Sequence, residues 1–507
     1  MTSSARPSRF ARNTIANGIS LLFAAVVGFF LSPYIVKQLG PTQYGVWMLI
    51  AGLVGYLGIL DLGIRAAVNR YTARLHAMGD HQECSLTISA ALRLFGFLGI
   101  LAIALSGVIA YFVPILFNVP AALADDARIV AIIGGLGIAT ALVAGVFGAV
   151  VTGLERFDTQ CGIEVLVTSV RTVAIILALR AGCGLVAFAG IQLFASVLSC
   201  ALYWVAAHKL YKELRIQLFG ALGSQTRTIL HFSVPMVALS LLGQITNYSD
   251  NIVIGAFLPI EAVTFFAIAA NLCLYAKGMP TALSHLMIPR ISALTAQGSN
   301  QVGETILSVT KFATLISAPM AVTFALRGES FITLWMGPAF GPASGEVLRV
   351  LAIIVWLDAS RNVAMQSLIG MSKQRTVVLG IALEAACYLA LSLALVQQFG
   401  IVGVALGSLV PNVLSSLGYI PRCLSRATGI STGLFFRNVV LLPAAACLLF
   451  GVATALIERF VPATSLAIFF LQTFLILPLV PLSTWLLCLS AEEKRRVNSE
   501  IGRFFKR

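Results

Sequence analysis

Fourteen apolar segments, each about 20 to 30 residues long, follow one another along this chain of 507 residues. A helix of about 20 apolar residues spans the hydrocarbon core of a bilayer. Only 11% of the residues are charged, whereas soluble globular proteins carry roughly 25%. The sequence therefore predicts an all-α polytopic membrane protein with about 14 transmembrane helices.

The segments between the predicted spans are all too short for a separate soluble domain. The longest is a predicted cytoplasmic linker at 208–228, and a basic cytoplasmic tail is predicted at 490–507. The predicted spans lie near 14–36, 44–68, 86–113, 127–151, 160–180, 184–207, 229–257, 263–288, 305–327, 345–370, 376–396, 400–420, 437–457 and 464–489.

Lysine and arginine residues are distributed unequally between the two predicted sides. With the N-terminus inside, the inner segments hold 22 of the 34, and the outer segments hold four, which are Lys37, Arg180, Arg327 and Arg459. Because basic loops remain cytoplasmic, we expect both termini on the cytoplasmic side of a bacterial inner membrane. The net charge of +14 then reflects loops beside anionic membrane lipid. Nucleic acid is not an expected partner, since no basic soluble module is predicted.

The two halves of the chain resemble each other at an offset of about 217 residues. Arg156 and Lys373 both follow an apolar span, and "GLVAFAG" from Gly184 matches "GIVGVAL" from Gly400. Six spans per repeat is an even number, so both repeats have the same orientation in the membrane. This predicts two six-helix bundles, 1–207 and 229–420, around a central cavity, which is a plan of transporters. Two additional helices are predicted within 421–489.

A charge pair interrupts the second span, in "LGILDLGIRAAVNRY". Asp61 and Arg65 are four residues apart, so we expect them on one face of a continuous helix. Either the pair neutralises itself near the membrane interface, or it forms a gate or an anion-binding element at the cytoplasmic mouth. Glycines at three-residue spacing precede the pair and predict close contact with another helix. These glycines are Gly52, Gly55 and Gly58.

Spans 7 and 8 each carry polar residues at helical spacing. A lysine inside a membrane span is costly unless it faces water, an anion or an opposite charge. Lys277 is therefore expected to line the cavity, with a structural ion pair or snorkelling to the membrane interface as the alternatives. The polar residues of span 7 line the cavity or form hydrogen bonds between helices. The stripe of span 8 is Lys277, Thr281, Ser284 and His285, and that of span 7 is Gln244, Asn247, Tyr248 and Asn251, with Asp250 alongside.

Three other spans also carry charges. Asp358 and Arg361 in span 10 are three residues apart and either satisfy each other or take part in the site. Arg171 in span 5, which also holds Glu164, needs a partner and is expected to lock the N-terminal bundle. Glu384 in span 11 is unpaired within its own helix and is either a protonatable site or a buried structural carboxyl.

The sequence contains none of the catalytic motifs HExxH, GxSxG or GxxxxGK[ST],. The nine cysteines form no CxxC cluster,. We therefore predict no enzyme activity, no metal and no cofactor. Without a nucleotide site, transport would use an ion gradient, the membrane potential or downstream consumption of the product. Asp250 and Glu384 are the candidates for ion coupling.

The stretch "LGPTQYGVWMLIAGLVGYLGILDLGIRAAVNRYTA" resembles the second-span signature of the polysaccharide-export branch of the MOP superfamily. This branch includes Wzx-type O-antigen flippases and exopolysaccharide translocases. "LMIPRISAL" resembles the family's proline-containing end of span 8, here at Pro289. The residues that carry the second-span pattern are Leu39, Gly40, Tyr44, Gly45, Trp47, Asp61, Gly63, Ala67 and Arg70.

This resemblance implies a flippase for a polyprenyl-diphosphate-linked oligosaccharide, working by alternating access in polysaccharide biosynthesis. It also implies that cationic cavity residues receive the diphosphate, a role that Lys277 and Arg65 match. Span 1 departs from some lipid-carrier flippases because its centre holds no arginine. The implied partners are the lipid-linked glycan, membrane lipid, a polysaccharide polymerase and export machinery. The other cavity candidates are Asp61, Gln244, Asn247, Tyr248, Asn251, Thr281, His285 and Arg361.

Two alternatives belong to other functional classes. A cation-coupled multidrug exporter of the same superfamily would need a carboxylate deep in its cavity, for which Asp250 is the candidate. A membrane glycosyltransferase would need acidic catalytic residues in an external cleft, and the sequence offers none.

Overall fold

The structure is a computed structural model that describes residues 6–217, 224–299, 301–489 and 493–495. Within these ranges the chain is helical and contains no strand. The longer helices are α1 (Arg6–Gly55), α2 (Ile64–Met78), α3 (His81–Leu116), α4 (Ala124–Gly153), α5 (Phe157–Arg180), α6 (Leu185–Leu210), α7 (Ser224–Phe257), α8 (Ile260–His285), α9 (Met287–Ala296), α10 (Val302–Met336), α11 (Gly341–Gly370), α12 (Gln374–Val413), α13 (Ile420–Thr428), α14 (Thr432–Phe436), α15 (Leu442–Phe460), α16 (Leu466–Ile476) and α17 (Leu479–Leu487).

Every predicted span has a helical counterpart. In the described part of the chain, ten stretches are long and apolar enough to cross a membrane. Two of them, Gly18–Met78 and Gln374–Thr428, are long enough for two crossings each and bend at Gly40 and Gly400, where φ is 77° and 58°. The helices α7 and α11, of 34 and 30 residues, bring the number to fourteen. The predicted fold class is confirmed.

The internal repeat is visible in the backbone. After α4, Glu155 has a φ of 58°, and after α11, Ser372 has a φ of 60°. In both turns the next residue, Arg156 or Lys373, donates its N–H to the carbonyl five residues earlier. These turns lie 217 residues apart, the offset that the sequence predicts.

The chain forms two compact units, Met1–Thr264 and Phe265–Arg507. In the first unit, a buried apolar core joins α2, α3, α4 and α6. In the second, a similar core joins α9 to α13. Helix α7 belongs to the first unit because it packs against α1, α2 and α3. The boundaries 1–207 and 229–420 follow the repeat and stay a prediction.

The C-terminal helices are fixed to α10 by two buried cations. Arg327 donates from Nε to Glu458 at 2.6 Å and from Nη2 to Gln472 at 2.7 Å. Its guanidinium carbon also lies 4.3 Å from the ring centroid of Phe469. Arg327, which the sequence places at the outer end of a predicted span, is fully buried inside the unit, and its position on the outer side stays a prediction. About four turns earlier on α10, Lys311 binds Glu493 at 2.6 Å.

Candidate functional site

The charge pair of the second span lies at a break between two helices. Residues Tyr56–Asp61 form a tighter 3₁₀ helix, and Leu62 and Gly63 follow with φ of 49° and 74°. Glycine adopts this left-handed conformation without steric cost. The prediction of a continuous helix over 44–68 was therefore wrong at this point.

Asp61 and Arg65 still contact each other, but across the break. The backbone N–H of Arg65 donates to Oδ1 of Asp61 at 3.3 Å, and Nε of Arg65 lies 3.3 Å from Oδ2. The Arg65 side chain remains half exposed. Asp61 thus holds the beginning of α2 while the other face of the guanidinium stays accessible.

Arg65 faces a cavity of about 850 Å³ inside the first unit. Helix α4 leaves room for this cavity because it presents only small side chains there, with Thr152 the largest. The Arg65 guanidinium lies directly against Gly145, where an added Cβ would be 2.6 Å from Nε of Arg65. The other α4 residues that line the cavity are Ala141, Ala144, Gly148 and Ala149.

Polar side chains from several helices complete the wall. Four of the cavity candidates predicted from the sequence lie in this wall, namely Asp61, Arg65, Gln244 and Asn247. Outside α4, the remaining polar lining residues are Asn69 on α2, Gln160, Glu164 and Arg171 on α5, Gln192, Ser196, Ser199 and Tyr203 on α6, and Ser240 on α7. Amides, hydroxyls and isolated charges of this kind bind hydroxyl-rich ligands through hydrogen bonds.

Arg171 was expected to lock the N-terminal bundle, and this expectation was wrong. No carboxylate of the described residues lies within salt-bridge distance of it, and its side chain lines the cavity instead. Glu164 accepts a hydrogen bond from Gln160 at 2.7 Å and has no cation partner among the residues described. The spacing of Gln160, Glu164 and Arg171 places them on one face of α5, a signal that the sequence already contained.

The predicted close contact of the span 2 glycines is with α7. An added Cβ on Gly55 would lie 2.7 Å from the Tyr248 ring, and one on Gly58 would lie 2.9 Å from the Gln244 amide. Asn251 donates to the carbonyl of Met48 at 3.3 Å. Tyr248 and Asn251 therefore pack between helices, and neither is among the residues that line the cavity. Beside them, the hydroxyls of Tyr56 and Ser249 share a hydrogen bond, and Asp250 is half buried.

The second unit contains a network of four charges. Lys277 on α8 lies 2.6 Å from Oδ2 of Asp358 on α11. Arg361 bridges Asp358 at 2.6 Å and Glu384 of α12 at 2.7 Å, and Asn412 donates to Asp358 at 2.9 Å. Two cations and two carboxylates cancel, and all but Lys277 are largely buried.

This network shows the charge partners of Lys277, of Asp358 with Arg361, and of Glu384, which the sequence left open. Lys277 has the ion-pair partner that the sequence left open, yet 29% of its side chain is still exposed. Asp358 and Arg361 pair as their spacing predicts. Glu384, which lacks a partner in its own helix, finds one in Arg361.

The polar stripe of span 8 divides at the end of α8. Ser284 is fully buried and donates to the carbonyl of Pro280 at 2.8 Å. Thr281 is half buried, and the His285 ring contacts the Gln366 amide at 3.2 Å. Only Lys277 of this stripe takes part in the charge network.

Across the described ranges, no three His, Cys, Asp or Glu residues come together as a metal site would require.

More than half of the chain, residues 10–295, matches the protein family described as "Polysaccharide biosynthesis protein". The chain belongs to this family. It is 21% identical to the "Putative O-antigen transporter" of Shigella flexneri, over 80% of this chain and 96% of that protein. It is also 24% identical to the "Uncharacterized membrane protein EpsK" of Bacillus subtilis, over 85% and 86%.

The fold is shared with transporters of known structure. A "Lipid II flippase MurJ, inward closed conformation" superposes with a TM-score of 0.74 at 12% identity, covering 94% of this chain and 98% of that one. An inward-facing "multidrug resistance MATE family transporter of the MOP superfamily" gives a TM-score of 0.67 at 16% identity, covering 81% and 96%. The chain therefore shares the fold of these transporters, as the second-span resemblance predicts.

Proposed function

We propose that this protein flips a polyprenyl-diphosphate-linked oligosaccharide across the cytoplasmic membrane of a bacterium during polysaccharide biosynthesis. The observation that carries the proposal is the polar cavity of the first unit, in a member of a polysaccharide biosynthesis family. A glycan brings many hydroxyl groups, and the cavity wall offers amides, hydroxyls and isolated charges to bind them. The names of the relatives, O-antigen transporter and flippase, support the same function.

The diphosphate needs cationic contacts, because a bare dianion is very costly to move through an apolar protein. We assign this role to Lys277, whose ammonium is partly exposed, and to Arg65, whose guanidinium faces the cavity. Asp61 orients Arg65. In this proposal Gln244 and Asn247 contact the glycan in the first-unit cavity. Thr281, His285 and Arg361 stay candidate substrate-binding residues of the second unit.

Transport would proceed by alternating access, with the close contact between α1 and α7 opening and closing. Asp250 and Glu384 are the proposed ion-coupling carboxylates. A gradient is not required if a polysaccharide polymerase and export machinery remove the product. The polymerase and the export machinery are proposed partners.

The experiment is a flipping assay in proteoliposomes. The purified full chain is reconstituted with a fluorescent polyprenyl-diphosphate-linked oligosaccharide, and the accessible fraction is measured with a membrane-impermeant glycosidase. We expect the inner-leaflet glycan to become accessible only with protein present. Rates that respond to a pH or sodium gradient would support coupling through Asp250 or Glu384, and equal rates would support product-driven flipping.

The same vesicles separate the proposal from the multidrug alternative, which the fold alone also permits. Transport of a cationic dye without any flipping of lipid-linked oligosaccharide would overturn the proposed function. Flipping without dye transport would support it.

A further inference from the structure

The wall of the first-unit cavity carries equal numbers of positive and negative charges. Asp61 and Arg65 pair at 3.3 Å, whereas Glu164 and Arg171 have no opposite charge within salt-bridge distance among the residues that the structure describes. These two are seven residues apart on the same face of α5, which separates them by roughly 10 Å along the helix axis. The cavity therefore offers one free cation and one free carboxylate at separate positions.

Arg171 lies deep along α5. It is fourteen residues from Phe157, the first residue of the helix, or roughly 21 Å along the axis. The positive-inside pattern predicts that this first residue lies on the cytoplasmic side. A ligand that reaches Arg171 has then entered the cavity far beyond its mouth.

An unpaired guanidinium in such a place is costly unless a ligand completes it. Arginine binds carboxylates through two parallel N–H···O bonds. A diphosphate carries at least two negative charges, and Glu164 in the same wall repels it. A single carboxylate on a hydroxylated ring fits better, because its charge matches Arg171 alone while its hydroxyls donate to Glu164.

We propose that the deep part of this cavity binds an acidic sugar of the glycan, with its carboxylate on Arg171 and its hydroxyls on Glu164 and Gln160. The inference rests on the proposed function and names the class of oligosaccharide that the protein carries. Arg171 acts here as a specificity-determining residue. The diphosphate at the other end of the substrate remains at the mouth of the cavity.

The test uses two disaccharides that differ only in the carboxylate. One ends in glucuronate, and the other is its carboxyl-reduced form. Calorimetric titration of the full chain in detergent should show at least about tenfold tighter binding of the acidic disaccharide, which is the effect of one charge-assisted pair. Equal affinities would overturn the proposal.

Three variants locate the effect. Arg171→Gln, which keeps hydrogen-bond donors, should abolish the preference for the acidic disaccharide, while Arg171→Lys should retain part of it. Glu164→Gln should keep the preference, because the carboxylate binds elsewhere. The unfolding temperature shows whether the Arg171→Gln protein is folded. If the folded variant still prefers the acidic disaccharide, the assignment of Arg171 is overturned.

Inorganic pyrophosphate is the third probe. If pyrophosphate competes with the acidic disaccharide in the wild-type protein but not in Arg171→Gln, the cavity binds diphosphate at Arg171. That result would overturn the proposal. Failure of the proposed function gives a different result from failure of this inference. In that case the wild-type protein would flip no lipid-linked oligosaccharide, acidic or neutral.

Discussion

The ammonium of Lys277 lies 2.6 Å from Oδ2 of Asp358, and the other oxygen of this carboxylate accepts from both Arg361 and Asn412. Asp358 is thus satisfied on both sides. If Lys277 were lost, Asp358 would keep two of its three partners. Lys277 is therefore the member of the network that is most easily released toward a substrate.

We expect Lys277→Ala to abolish glycan export while the protein accumulates near the wild-type level. Removing one partner of a buried ion pair costs about 3–5 kcal/mol when the other charge is left unpaired. Here the network loses one positive charge, but Arg361 and Asn412 still contact Asp358, so we expect a smaller cost. Lys277→Arg should retain part of the export, since the charge survives with altered geometry. Export and abundance are measured in the same cells.

The double variant Lys277→Ala/Asp358→Asn is the control. If Lys277 only neutralises Asp358, the double variant regains export. If Lys277 contacts the substrate, export stays lost. Full export from an abundant Lys277→Ala protein would also remove Lys277 from the site.

Arg327→Met should lower the unfolding temperature strongly. It leaves Glu458 without its cation and breaks the connection from α10 to α15 and α16, a loss on the order of 3–5 kcal/mol. The measurement is the thermal stability of the detergent-solubilised protein by size-exclusion chromatography. The double variant Arg327→Met/Glu458→Gln should recover part of the loss.

Arg459 provides a matched control, since it is the next residue after Glu458 but is exposed. Arg459→Met should change the unfolding temperature little, because exposed charges contribute about 0–1 kcal/mol. Equal unfolding temperatures for the two arginine variants would contradict the anchoring role of Arg327.

Much of the fold is predictable from the spacing of apolar and charged residues along the sequence. Apolar segment length predicts the spans, and the offset of about 217 residues reappears as matching turns at Glu155 and Ser372. Pairs three residues apart on one helix, such as Asp358 and Arg361, are also predictable, because helical geometry alone brings them together.

The site is harder to predict because it depends on neighbouring helices. Spacing places Arg171 on a face of α5 but does not reveal that small residues of α4 leave a cavity there. Likewise, the length of a span does not separate a buried cation such as Arg327 from a loop cation. The break at Leu62 and Gly63 is local, but Gly63 is one of several glycines in an apolar span, and the pattern alone does not distinguish a break there from a continuous helix.

Reporter fusions test the predicted topology. The ratio of inner to outer cations, 22 to four, predicts cytoplasmic termini. Fusion after residue 120, between α3 and α4, should activate alkaline phosphatase in the periplasm. Fusion after residue 215, which follows α6, should give a fluorescent cytoplasmic protein. The reverse pattern would contradict the orientation.

A disulfide between α1 and α7 tests whether these helices separate during transport. A Cβ added to Gly52 would lie 3.5 Å from the Cβ of Asn251, and disulfides need about 3.5–4.5 Å between these atoms. Gly52→Cys/Asn251→Cys should therefore form a disulfide under mild oxidation. A protease site introduced within 208–228 detects the disulfide, because the cleaved halves stay together on a gel only when they are cross-linked.

If alternating access opens this contact between α1 and α7, the oxidised protein should stop flipping lipid-linked oligosaccharide, and a reductant should restore flipping. Each single variant controls for the native cysteines and for the lost Asn251 hydrogen bond, which is worth about 1 kcal/mol. Flipping at the wild-type rate by fully cross-linked protein would show that α1 and α7 stay together throughout transport.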